Sequence, residues 1–196
     1  MLNSSRQFIC FMCLCLIALT SCGVRSGKEM AQAEADYMLF RYKDKMDRPS
    51  PPNITRAQVG GAKVSIDYSQ PSVKDREIWG ELVKYDKIWR TGANEANIFE
   101  TSVPLLVGSD TIPVGKFSLF TIPGAEHWTV IFNKIYDQWG VYDYKQSEDV
   151  ARIEVSTYNV GELQEKMTFE VDSTGKIAFA WEFLRFSFNI KPLESN

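Results

Sequence analysis

Leu105-Leu106-Val107-Gly108-Ser109-Asp110-Thr111-Ile112-Pro113-Val114-Gly115-Lys116-Phe117-Ser118-Leu119-Phe120-Thr121-Ile122 decides the fold class. Two short apolar runs, Leu105–Val107 and Thr111-Ile112, flank Gly108-Ser109-Asp110, whose turn chemistry predicts a hairpin. Lys116–Ile122 is rich in aromatic and branched residues and stops at Pro123-Gly124, so it reads as a strand. The same signals recur outward in both directions. Toward the amino end, Asn97–Val103 alternates through Phe99, Thr101 and Val103, and Lys63–Tyr68 places Val64, Ile66 and Tyr68 on one face. Toward the carboxyl end come Trp128–Phe132, Val150–Tyr158, Lys166–Asp172 and Ile177–Ile190, with a turn at Ser173-Thr174-Gly175. Phe179, Trp181 and Phe183 are expected on one face of the last strand, with a bend before Phe186 and Phe188. Pro71–Arg90 interrupts the pattern and reads as a long ordered connection with room for a helical turn. Eight or nine short strands at near-regular spacing predict an all-β antiparallel β-sandwich, jelly-roll or immunoglobulin-like, with a small closed barrel as the alternative.

Before the strands, the chain speaks of location. Arg6 precedes an apolar run from Phe8 to Leu19, the length of a signal-peptide core and too short to span a bilayer. Leu19-Thr20-Ser21-Cys22 follows, the aliphatic-small-small-Cys pattern of bacterial lipoproteins. Residues 1–21 are expected to be removed and Cys22 lipidated. Several acyl chains at about 0.8 kcal/mol per buried CH₂ hold such an anchor in the membrane. Gly23 after the cysteine, with no acidic run beyond it, resembles outer-membrane lipoproteins that face the periplasm. Residues 22–52 then form a lipidated tether, with a helical pattern over Lys28–Lys45 and a stiff Arg48-Pro49-Ser50-Pro51-Pro52 linker. A single domain is expected over residues 53–196.

Composition excludes several chemistries. The four cysteines are Cys10, Cys13, Cys15 and Cys22, so the processed domain has no thiol for a disulfide, a nucleophile or a Cys-type metal site. Removing Arg6 takes the formal charge from −3 to −4. A mildly acidic chain of this kind is not expected to bind nucleic acid. Five tryptophans and twelve phenylalanines suit a β-rich core. Neither a Gly-x-Ser-x-Gly elbow, a His-Glu-x-x-His pair, a P-loop nor an EF-hand loop occurs, and no cofactor or metal is expected.

Several runs together resemble one family. They are Tyr68-Ser69-Gln70-Pro71-Ser72-Val73-Lys74, Arg76-Glu77-Ile78-Trp79-Gly80-Glu81-Leu82-Val83 and Lys87-Ile88-Trp89-Arg90-Thr91-Gly92-Ala93-Asn94-Glu95-Ala96. Further on stand Gly115–Pro123, Trp128–Lys134 and Gln138-Trp139-Gly140. The chain from about Gln58 to Pro192 resembles the domain of unknown function 2911 family, found in envelope lipoproteins of gut and environmental bacteria. Family members often carry Tyr or Thr in place of Lys116, and Gln70 commonly reads Arg. The resemblance implies a fold and an envelope setting and carries over no catalytic residue.

Trp89–Glu95 concentrates chemistry. Arg90 could fork onto a carboxylate or phosphate, Glu95 could be its partner or an acid/base, and Gly92 could turn the chain to present Asn94. The alternative is that Arg90 and Glu95 satisfy each other as a structural pair. Lys74, Arg76, Lys84, Lys87 and Arg90 interleave with Asp75, Glu77, Glu81 and Asp86, which reads as a solvated mixed face. Trp139, Tyr142 and Tyr144 could stack a sugar or belong to the core. If that segment is a strand, Tyr142 and Tyr144 share a face and Trp139 opposes them. His127 is the single histidine, at a strand entrance. A carboxylate pair for glycoside hydrolysis could come from Asp67, Glu77, Glu81, Glu95 or Asp143. Three functions compete. The first is a non-enzymatic envelope module binding a small polar ligand, a glycan or an envelope partner. The second is a hydrolase using Glu95 or His127 with Arg90 as anchor. The third is a structural or assembly role.

Overall fold

The structure is a computed structural model and describes residues 45–193, within the compact unit that begins at Lys45. The expected signal peptide, Cys22 and the expected helix up to residue 44 lie outside the described residues.

Two antiparallel sheets pack as a sandwich. The larger contains β1 (Pro52–Val59), β2 (Ala62–Ser69), β3 (Asn97–Thr101), β6 (Gly115–Ile122), β7 (His127–Asn133) and β8 (Asp149–Ser156), in that order across the sheet. The smaller contains β4 (Leu105–Val107), β5 (Asp110–Ile112), β9 (Tyr158–Val171) and β10 (Lys176–Pro192), ordered β5-β4-β10-β9. The hairpin predicted at Gly108-Ser109-Asp110 is present, with Val107 opposite Asp110. Alternation holds in β2, where Val64, Ile66 and Tyr68 are buried and Lys63 is exposed. Ring contacts join the two inner faces: Tyr68 to Phe169 at 5.4 Å, Trp128 to Phe186 at 5.4 Å and Phe132 to Phe188 at 6.1 Å. Four tryptophans, Trp79, Trp89, Trp128 and Trp181, cluster between the sheets with centroids 5.0–6.1 Å apart.

β10 is not straight. An extended run of its length would separate its ends by roughly 50 Å at about 3.3 Å per residue. Instead, Ile190 N–H donates to the Gly175 carbonyl at 2.8 Å, and Phe179 stacks on Phe186 at 4.7 Å. The strand therefore doubles back around Glu182, whose φ is +52°. The bend expected from the aromatic spacing is real, but Phe183 leaves the core face. It sits at the reversal and is 41% exposed, while Leu184, Phe186 and Phe188 take up the buried positions.

The larger sheet is covered on both faces at β6 and β7. Phe120 and Ile131 point outward and pack with Ala96, Ile88, Val141 and Tyr144 from two connections, residues 70–96 and 134–148. The first connection contains turns and isolated bridges but no helical turn. It starts by lying on the edge of β9: Val73 N–H donates to the Glu165 carbonyl and Met167 N–H to the Pro71 carbonyl, both at 2.9 Å. That covers backbone groups an edge strand would otherwise expose. The Pro-rich segment expected as a stiff linker is also attached to the domain. The Pro51 carbonyl accepts from Gln70 N–H at 2.9 Å, and Pro52 opens the edge strand β1, where a proline is tolerated.

Candidate functional site

The 70–96 connection returns to β6 through Trp89, which exchanges two backbone hydrogen bonds with Thr121 at 2.8 and 2.9 Å. That bridge sends the Trp89 indole inward, stacked on Trp181 at 5.9 Å, and its Nε1–H reaches the Gly92 carbonyl at 3.2 Å. Thr91 and Asn94 both have positive φ, +55° and +61°. Such a backbone is uncommon outside glycine and is held by its surroundings. The Thr91 hydroxyl meets that of Thr121 at 3.0 Å, and the Thr91 carbonyl accepts from Asn97 Nδ2 at 2.7 Å. Gly92 serves close approach, since a Cβ there would stand 3.0 Å from Asn97 Oδ1 and 3.2 Å from the Ser69 carbonyl.

Asn94 is not presented outward. Its Nδ2 donates to the Ser50 carbonyl at 3.0 Å and to Ser69 Oγ at 3.2 Å, fastening the amino-terminal segment to β2. Nor do Arg90 and Glu95 satisfy each other. Glu95 pairs with Lys45 Nζ at 2.7 Å and with Arg48 Nη1 at 3.1 Å. Burial pushes the Glu95 carboxyl up, but the hydrogen bonds from Lys45, its own backbone and Arg48 together bring it below the usual carboxylate range. Arg48 also lies over the Trp139 ring, 5.9 Å from its centroid.

Arg90 makes no hydrogen bond or ion pair to any described residue, and its Nε is buried without a partner. Burial lowers the guanidinium pKa, and neighbouring Tyr142 offsets this in part. Its Nη1 lies beside Gly140, where φ is +63°. The place a Cβ would occupy on Gly140 lies 3.8 Å from Arg90 Nη1 and 3.5 Å from the Tyr142 ring.

The 134–148 connection forms a turn over Gly140–Asp143 rather than a strand, so Tyr142 and Tyr144 do not share a face. Trp139 and Tyr142 are both solvent-exposed, at 53% and 83%. Tyr144 turns the other way, packing on Phe120 at 5.3 Å and donating to Asp149 Oδ2 at 2.9 Å. Arg152 Nη1 donates to the same Asp149 oxygen at 2.7 Å, which pins the loop to β8. Trp139 reaches the other connection through a bridge to Glu95, with Ala96 N–H donating to the Gln138 carbonyl at 3.1 Å.

The result is a loop face with three cations (Lys45, Arg48 and Arg90), one carboxylate and two exposed aromatic rings. Lys45, Arg48 and Ser50 were missing from the sequence reading, because a Pro-rich stretch carries no signal for what it packs against. The other candidates stand apart from this cluster. Lys74, Arg76, Lys84 and Lys87 are exposed, and Lys84 meets Glu81 at 3.5 Å. Arg76 Nε donates to the Val73 carbonyl at 3.0 Å. His127 is exposed on β7, with Nδ1 3.4 Å from Ser156 Oγ. Asp67 lies on β2, Glu77 and Glu81 on the first connection, and Asp143 on the second. Among the described residues, no group of three or more His, Cys, Asp or Glu could hold a metal.

These features define an antiparallel β-sandwich domain that carries its polar and aromatic cluster on loops laid over one sheet. Residues 50–190 match the model of a family described as a protein of unknown function, DUF2911, and the chain belongs to that family. No curated protein matches the chain, and no solved structure does.

Proposed function

We propose that this chain is a non-enzymatic binding module of the bacterial envelope, anchored in the outer membrane through lipidated Cys22 and facing the periplasm. Its loop face takes an acidic glycan or a similar small anionic polar ligand. The observation that carries this reading is the Arg90 guanidinium, without a partner among the described residues and set beside exposed Tyr142. A guanidinium fork suits a carboxylate, and aromatic rings with Arg are the side chains enriched where proteins bind. Hydrolysis is less well supported. A general acid near neutral pH needs a raised pKa, whereas Glu95 is held ionised by two cations.

Calorimetric titration with oligogalacturonate and with a neutral oligosaccharide of the same length tests the binding reading. Binding is expected for the acid and weaker by at least about tenfold for the neutral sugar, for Arg90→Gln and for Tyr142→Ala. Equal affinity across these four cases, or no binding at all, sinks it. The anchoring is tested separately by Cys22→Ser, which should leave the protein unlipidated and released from the membrane fraction. A variant that is still acylated refutes the anchor.

A further inference from the structure

A cavity of about 220 Å³ lies where the 70–96 connection meets the inner face of β10. Trp89, Trp181, Leu82 and Val83 supply its apolar walls, and Arg76 and Arg90 border it. Among the described residues no carboxylate does. Leu82 and Arg76 are exposed and mark its mouth, whereas Trp181 is 1% exposed and forms its floor. At about 30 Å³ per water the space holds roughly seven waters, below the size of most drug-sized pockets.

One indole donor of the lining lacks an acceptor: Trp181 Nε1–H is buried with no hydrogen-bond partner. Nε1–H of Trp79 and Trp128, in the same cluster but not on the cavity lining, are unpaired as well. An indole nitrogen can donate but not accept, and buried donors in folded proteins are nearly always paired. Arg76 spends Nε on the Val73 carbonyl and Nη2 on the Ser72 carbonyl, which fixes the plane of its guanidinium. Its Nη1 makes no hydrogen bond to a described residue. One unpaired indole donor, two bordering guanidiniums and the apolar walls together ask for an acceptor with negative charge and a hydrophobic body.

We propose that this cavity is a binding site for a small carboxylate with a compact apolar body. The carboxylate accepts from Trp181 Nε1–H and from Arg76, and the body packs against the indoles of Trp89 and Trp181. This site adjoins the loop face and shares Arg90 with it, but neither Trp139 nor Tyr142 borders it.

The tryptophans themselves report on it. In full-length protein carrying Trp139→Phe and Tyr142→Ala, the four remaining indoles are those of the cluster, and the loop face has lost its indole and its most exposed ring. Intrinsic fluorescence is followed during titration with benzoate, with benzyl alcohol (same body, no charge) and with inorganic phosphate (charge, no body). A saturable change is expected for benzoate, and binding at least about tenfold weaker for the other two. Ala93→Leu, which narrows the cavity without removing a hydrogen bond, should abolish the response. Trp181→Phe should weaken it while keeping a ring in place. The absence of a saturable change up to about 10 mM benzoate overturns the proposal. So does equal response to benzyl alcohol, which would mean that the indole N–H groups rest on neighbouring ring faces and the cavity is merely apolar. Unchanged binding in Ala93→Leu overturns it as well, and that variant decides the matter if Trp181→Phe does not fold.

Discussion

Glu95 is the point at which the amino-terminal segment grips the domain, and a pair of double-mutant cycles measures that grip. The Glu95 and Arg48 side chains are 30% and 32% exposed, so solvent screens their attraction only in part. Exposed ion pairs contribute about 0.2–1 kcal/mol, and the two-cation geometry puts this one near the top of that range. Glu95→Ala releases both Lys45 and Arg48 and should cost about 1–2 kcal/mol, twice a single pair. Arg48→Ala removes one partner and should cost about 0.5–1 kcal/mol. The double variant should then lose less than the sum by about 0.5–1 kcal/mol, the signature of direct contact. For Glu95 with Arg90 the two losses should add within about 0.3–0.5 kcal/mol. Urea unfolding of the four proteins in each cycle supplies the numbers, provided the m-values agree. A coupling above about 1 kcal/mol between Glu95 and Arg90, or none between Glu95 and Arg48, would refute the assignment of partners.

Two more expectations rest on the same contacts. The Glu95 pKa is lowered in the fold from 4.5, so its ionisation adds stability above that pH, and the addition disappears as pH falls through the folded value. The stability gap between the wild type and Glu95→Gln should thus be flat near neutrality and close on acidification below 4.5; a gap that widens in acid contradicts the sign. A chain starting at residue 53 lacks Lys45, Arg48 and the Ser50 and Pro51 carbonyls that hold Asn94 and Gln70. It should unfold about 2–3 kcal/mol more easily than one starting at residue 45, and equal midpoints would show that the segment contributes nothing.

The sandwich was legible wherever a strand has one wet face. Val64, Ile66 and Tyr68 alternate because their neighbours meet solvent, and Gly108-Ser109-Asp110 announces its hairpin locally. Period two fails where a strand reverses. Alternation groups Phe183 with Phe179 and Trp181, but the turn at Glu182 changes the parity of everything after it. β1 escaped notice because Asn53, Thr55, Arg56 and Gln58 are polar and follow three prolines, and the first half of β9 because Gly161 and its polar neighbours look like loop. Of the candidate site, the residue types were visible and the partners were not. Closeness in sequence suggests Arg90 for Glu95, whereas Arg48, which takes Glu95, is 47 positions away. Tyr142 and Tyr144 diverge because their segment is a turn, and no periodicity in so short a run separates turn from strand.

The reversal in β10 bears on the order in which the chain folds. Ile190 meets Gly175 across 15 positions but meets Val107, on β4, across 83. Closing the longer loop costs about 1.5 kcal/mol more in chain entropy, so the terminal hairpin has the earlier opportunity to pair. Contacts such as Phe179 on Phe186 should be formed at the folding transition state and those between Val107 and Ile190 should not; φ-values in the opposite order would contradict this. Because β10 lies between β4 and β9, a growing chain has no middle for its smaller sheet until Pro192 has been made, and the buried indoles have nothing to close over them before then.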